Sequence, residues 1–158
     1  RISCRHRGQH EPEVIIVKDS KEVLSSILKT TQMGQIGIRA VQDKAVRTEM
    51  KQALSDQLKE YDAIESQAHA VANERGWRVE ELDPGVRKMA EMMTKTRLQG
   101  RNKDSKIAAM MMKGNNRGLI KGYKNIHRYH GRDERIMALS QKLIDCESEN
   151  IKQMEGFL

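Results

Sequence analysis

Cysteine and histidine are the residues of this 158-residue chain best suited to nucleophilic or metal chemistry, so their spacing is the first constraint on function. Cys4, His6 and His10 stand at intervals that suit a partial transition-metal site, but no fourth ligand accompanies them and their surroundings are polar. They read as solvated tail residues. His127 and His130, three apart, are expected to share one helix face at a basic helix end, where partial protonation favours the helix dipole. His69, four beyond Glu65, reads as a surface residue in a local pair. Neither Cys146 nor any serine has a base close in sequence. The GNNRG tract at 114–118 is too short for a phosphate loop and falls inside a helical pattern. These residues give catalysis no candidate, and the expectation is a protein that is not an enzyme and carries no cofactor.

Charge points toward a partner more clearly than any motif. The chain is net +7, yet residues 83–132 alone carry thirteen Lys and Arg against Asp83, Glu91 and Asp104, leaving the remainder net negative. Lys113, Arg117, Lys121, Lys124 and Arg128 recur at helical spacing and form a basic stripe. Such a stripe attracts nucleic acid, an anionic lipid surface or an acidic protein partner, including the acidic helices of a second copy. No helix-turn-helix signature or aromatic stacking series accompanies it, so a solvated face or an intersubunit ion-pair surface is the plainer reading.

The elements that position these residues are helices. Only Pro12 and Pro84 interrupt the chain, and aromatics are few. Residues 1–19 read as a tail or linker with one short extended piece, VIIV at 14–17, and 20–158 as the bundle domain. Asp19 or Ser20 caps a first helix with Val23, Ile27, Leu28, Thr31, Gly34, Ile38, Val41 and Ala45 inward. A second helix over 48–75 turns Met50, Leu54, Leu58, Tyr61, Ile64, Ala68 and Val71 inward. Gly76 ends it and Trp77 covers the bundle end. Asp83-Pro84 starts a third region that frays near Gly100 and breaks at GRNKDS. It resumes with Asp104 or Ser105 as cap and ends at Gly131. Asp133 begins the last helix, with Ile136, Leu139, Leu143, Cys146, Asn150, Met154 and Phe157 inward. The two cysteines read as ordinary thiols, and no apolar run approaches the roughly 20 residues that span a bilayer. The expectation is a cytoplasmic protein without transmembrane association.

Small residues mark the close approaches. Gly114, Gly118 and Gly122 fall four apart on one helix face, and Gly34 and Gly37 lie near each other in the first helix. Each glycine in a helix costs about 1 kcal/mol against alanine, so three in register call for close helix packing, a kink or a ligand against the backbone. Met110, Met111 and Met112 cannot all face one core, being about 100° apart around the helix. They read as gap-filling core or interface residues.

Taken in order, QMGQIGI, LSDQLKEYDAIESQAHAVANERGW, SKIAAMMMKGNNRGLIKGY and LIDCESENIKQMEGFL resemble the ferritin-like superfamily. Within it they are similar to small bacterial branches related to rubrerythrin and spore-coat type four-helix proteins. The resemblance covers roughly residues 20–158. It implies an all-α, antiparallel four-helix bundle, here with a bent or split third helix after the irregular N-terminal segment. It also implies a di-iron centre, with one Glu from each of two helices and Glu-x-x-His from each of the others.

The implied ligand set is degenerate. The first helix has no acid between Glu22 and Asp43, and 105–132 has none either. The second helix offers Gln57-x-x-Glu60, and the last offers Glu147-x-x-Asn150 where Glu-x-x-His belongs. Neutral amides do not replace bridging carboxylates, although an amide network keeps buried polar positions satisfied. Gln35, Gln57, Glu60, Asn116, Glu147 and Asn150 are therefore the candidate residues of a residual polar core, with no metal assigned.

The sequence thus predicts a non-enzymatic structural or interaction protein lacking a standard di-iron centre and expected to self-associate, most simply as a dimer. A nonstandard metal-binding protein is the first alternative and requires Glu60, Glu147 and a histidine to meet. A nucleic-acid-associated basic bundle is the second.

Overall fold

The computed structural model describes residues 18–158, so the expectations for Cys4, His6, His10 and the 14–17 piece lie outside the described residues. The periodic segments form helices α1 Ser20–Val41, α2 Thr48–Glu74, α3 Gly85–Arg97, α4 Lys103–Arg128 and α5 Glu134–Glu155, with a single 3-10 turn at Gln42–Lys44. Side-chain oxygens start two of them: Asp19 accepts from the Glu22 N–H, and Asp133 accepts from the N–H groups of Arg135 and Ile136. These bonds satisfy donors that a helix start leaves free. At the end of α2, Gly76 takes φ 64°, the Trp77 N–H reaches the Ala72 carbonyl at 2.9 Å and the Gly76 N–H reaches Asn73 at 3.2 Å. This is the paired closure that a left-handed residue permits. Trp77 is half-buried against the core, with the Arg75 guanidinium 5.3 Å from its ring.

Four long helices form a ring in the order α1, α2, α5, α4. Their directions follow from contacts at both ends. The Lys18 N–H donates to the Arg128 carbonyl at 2.9 Å, while the Val46 and Arg47 N–H groups donate to Asp104 at 2.8 and 2.9 Å, so α4 runs against α1. Gln57 meets Gln153 near one end, and Arg75 and Glu74 pair with Asp133 and Arg135 at the other, so α5 runs against α2. Each ring neighbour is therefore antiparallel. The helices α2 and α4 consequently point the same way, and residues 75–102 must cross the length of the bundle to join them. This crossover carries α3, which packs chiefly on α1.

Each long helix turns one apolar stripe inward, as shown by the fully buried Leu24, Ile27, Leu54, Ile64, Ile107 and Ile136. Burial of side chains this size stabilises by about 1.5–3 kcal/mol apiece before entropy is counted.

Several expectations need correction here. The third region is split rather than bent: the turn at 98–102, with Gly100 at φ 90° and Asn102 at φ 60°, separates α3 from α4, and only α4 belongs to the ring. Of the three spaced glycines of α4, which runs as one helix over 26 residues, Gly118 and Gly122 sit at close approaches to Glu147 and Ile144 of α5, while Gly114 does not. Neither Asp104 nor Ser105 caps α4; its N-cap is Asn102, with no side-chain cap bond. Asp104 is buried and instead secures the turn into α2. Nor do His127 and His130 share a helix face, since α4 ends at Arg128. An Asp104→Ala substitution leaves two backbone donors without their partner and is expected to cost about 1–2 kcal/mol, read as a lower urea midpoint.

Among the described residues, no helix is long and apolar enough to cross a membrane.

Candidate functional site

A polar cluster occupies the interior of the bundle, and glycines on two facing helices create its space. Tyr61 on α2 is fully buried, with its ring against Gly34 of α1; a Cβ at position 34 would lie 2.5 Å from the ring. Gly118 of α4 does the same for Glu147 of α5, where a Cβ would approach the carboxyl to 2.9 Å. Neither helix position tolerates a side chain while these groups stay in place.

The phenol is the hub. Tyr61 Oη lies 3.0 Å from Glu147 Oε1 and 3.2 Å from Asn115 Oδ1, and Asn150 Nδ2 donates to it at 3.4 Å. A phenol has one hydrogen for these two acceptors. Burial pushes the Glu147 pKa up to about 8, outweighing the opposing hydrogen bond from Tyr61. The Tyr61 phenol is held well above its ordinary value, first by burial and then by the neighbouring carboxyl. Glu147 is therefore mostly protonated at neutral pH. Two atoms of the cluster remain buried without a hydrogen-bond partner, Glu147 Oε2 and Asn115 Nδ2.

The cluster shares only some members with the polar core expected from sequence. Glu147 and Asn150 are present. Gln35 is buried but belongs to the α1–α2 seam, donating to Asp62 at 2.8 Å and Glu65 at 3.3 Å. Gln57 is buried nearer one end and donates to Gln153 at 2.8 Å. Glu60 is exposed at the α2–α5 edge, 3.2 Å from Cys146 Sγ. Burial, aided by that carboxylate, pushes the Cys146 thiol up and away from nucleophilic reactivity. Asn116 points to solvent, and its neighbour Asn115 takes the interior position. Helical phase explains the exchange: Asn115 lies four after Met111 and three before Gly118, both buried. The Tyr61 hydroxyl was also missed, because its ring satisfies the apolar pattern on its own.

The side chains do not fit a di-iron centre. Two adjacent hard cations need several bridging carboxylates and an imidazole on each metal. The cluster supplies one carboxyl, a phenol and two amides. His69 lies at the surface, paired with Glu81 at 2.7 Å rather than with Glu65. Glu60, Glu147 and a histidine do not meet. Among the described residues, no group of three or more His, Cys, Asp and Glu is placed to hold a metal ion.

The basic stripe occupies the outer face of α4. Lys113, Arg117, Lys121 and Lys124 are exposed and Arg128 is half-buried. Among the described residues none of the five forms an ion pair; the bridges that form lie elsewhere. Close by, Lys18 donates to the buried Asn125 at 2.8 Å. Its ammonium pKa is lowered first by burial and then by Lys121 and Arg128.

A scan against protein-family models, a search of the curated proteins and a search of the solved structures each find no match for this chain.

Proposed function

We propose that this protein is a non-enzymatic interaction protein on a ferritin-like bundle, with a phenol–amide–carboxyl network where that superfamily holds its metals. The single observation that carries this reading is the Glu147 carboxyl, held by Tyr61 beside Asn115 and Asn150 in the bundle interior. One carboxyl among a phenol and two amides is a poor ligand set for a pair of hard cations. The ring of antiparallel helices with one long crossover supports the ferritin-like assignment, since that connection distinguishes ferritin-like bundles from simple up-and-down ones. The unpaired basic face supports the interaction role, with the acidic surface of a second copy as its expected partner.

Metal content measured by mass spectrometry after challenge with Fe(II), Mn(II) and Zn(II), with light scattering on the same samples, tests both parts. The expected result is far less than one metal per chain in a folded, self-associated protein. Near-stoichiometric metal that disappears in Glu147→Ala overturns the reading.

The exposure of the α4 stripe favours a second reading, binding of a nucleic acid polyanion. Affinity for duplex DNA should then fall steeply with salt, and Lys113→Ala or Lys124→Ala should each reduce the logarithmic salt slope by about one. A slope unchanged in both variants excludes the stripe as the contact.

A further inference from the structure

A cleft of about 530 Å³ opens between α1, α3 and α4. Its walls are rich in methionine: Met33 from α1, Met89 and Met93 from α3, and Met110 and Met111 from α4. Glycine keeps it open. Gly37 and Gly114 face each other's helices across the cleft, and a Cβ on either would meet nothing within 4 Å. These two positions differ from Gly34 and Gly118, whose missing side chains are replaced by Tyr61 and Glu147.

The lining also reaches the polar cluster. Asn115 and Glu147 line it, only 3% and 2% exposed, and they carry the unpartnered Nδ2 and Oε2 atoms. Cations stand around the same space. Lys29 is engaged by Glu80, whereas Arg97, Arg117 and Lys121 have no acidic partner among the described residues. Thioethers are also soft metal ligands, but this ring of positive charge opposes a metal cation.

We propose that the cleft binds a flat, carbonyl-bearing aromatic or heteroaromatic anion, with its ring between the methionines, its carbonyl toward Asn115 and Glu147, and its acid group at Arg117 and Lys121. Each part of that description answers one observed feature. Polarizable thioethers make favourable contacts with aromatic rings. Asn115 Nδ2 and Glu147 Oε2 are closed off from solvent, and a carbonyl oxygen that opens their cover accepts from the amide and from a neutral carboxyl. A cleft of this size with a few convergent polar groups is typical of small-molecule sites. The cleft shares Arg117 and Lys121 with the basic stripe, whereas its methionine walls lie outside that stripe.

Flavin mononucleotide and anthraquinone-2-sulfonate are suitable probes, each combining a flat ring, carbonyl oxygens and an acid group. Titration into the full chain labelled with 13C at the methionine methyls is expected to show saturable binding. Shifts should be confined to Met33, Met89, Met93, Met110 and Met111, leaving the buried Met50 and Met154 unmoved. Gly37→Leu and Gly114→Leu, which place a side chain in the open space, should each weaken binding by at least about tenfold. Arg117→Glu should weaken it too, as should removal of the acid in riboflavin or of the carbonyls in anthracene-2-sulfonate. Failure of both probes to bind, shifts at other methionines, or affinity unchanged by filling the cleft overturns the proposal. Equal affinity for anthracene-2-sulfonate and its quinone overturns the assignment of the carbonyl end. If a leucine variant does not fold, the methyl map and the ligand series on the unaltered protein still decide.

Discussion

Glu147→Gln is expected to remove a loss of stability that the unaltered protein suffers between about pH 5 and about pH 9. The carboxyl pKa is pushed up by burial from its ordinary 4.5 to about 8 in the fold. Between these values the native state holds a proton that the unfolded chain has released. The stabilisation is therefore complete below the ordinary value and is lost as pH rises through about 8, with a slope approaching roughly 1.4 kcal/mol per pH unit inside the window. This is the reverse of a carboxylate in a salt bridge, which stabilises as it ionises. Glutamine has nearly the same shape, stays neutral throughout and still accepts from Tyr61. Urea midpoints of the two proteins should separate progressively from about pH 5 and stop diverging near pH 9, the variant becoming the more stable. Lys18, whose lowered value concerns the alkaline end, is common to both and cancels in the difference. Parallel curves for the two proteins would show that the buried carboxyl is not the titrating group.

Two alanine substitutions less than one helical turn apart on α1 should act in opposite directions. At position 34 the new Cβ lies 2.5, 2.6 and 2.9 Å from three atoms of the Tyr61 ring, which is fully enclosed and hydrogen-bonded at its far end. Overpacking of this kind costs about 1–3 kcal/mol, and displacement of the phenol adds the loss of its network. Helix propensity returns only about 1 kcal/mol of that. At position 37 the Cβ meets nothing within 4 Å, so the propensity gain stands alone and Gly37→Ala should stabilise by up to about 1 kcal/mol. Chemical denaturation of the pair provides the comparison. A loss at both positions would mean that Gly37 is also packed, and a gain at both would mean that Tyr61 yields readily.

What could be read from the sequence was local in origin. Asp19 and Asp133 as caps, Gly76 as the end of α2 and most of the inward stripes of α1, α2 and α5 follow from interactions within a few residues and appear where expected, although Gly34, Leu58 and Phe157 are only half-buried and Ala45 lies past the end of α1. Asp104 illustrates the opposite case. Its position near a helix start suggests an ordinary cap, yet its partners are the backbone N–H groups of Val46 and Arg47, more than fifty residues earlier. The break after α3 was legible in GRNKDS, whereas the docking of α3 onto α1 depends on packing that no local pattern encodes. In the polar cluster, Glu147 and Asn150 stood out because they occupy the spacing at which the ferritin-like resemblance implies Glu-x-x-His. Asn115 was legible only through the phase of Met111 and Gly118, and the adjacent Asn116 drew the assignment. The Tyr61 hydroxyl gave no signal, since a tyrosine ring alone explains an inward position. The lack of any Glu-x-x-His could be seen in advance, whereas the phenol-centred cluster required the third dimension.

The crossover at 75–102 has a consequence for assembly. It is the covalent link between two helical hairpins, α1 with α2 and α4 with α5, that complete each other across a shared interior. Tyr61 belongs to the first hairpin, while Asn115, Glu147 and Asn150 belong to the second. A crossover that swings outward lets the second hairpin of one molecule dock onto the first hairpin of another, reproducing the buried contacts in an interlocked pair. Domain-swapped exchange of this kind would need no new interface, because the bundle's own interior would serve as one.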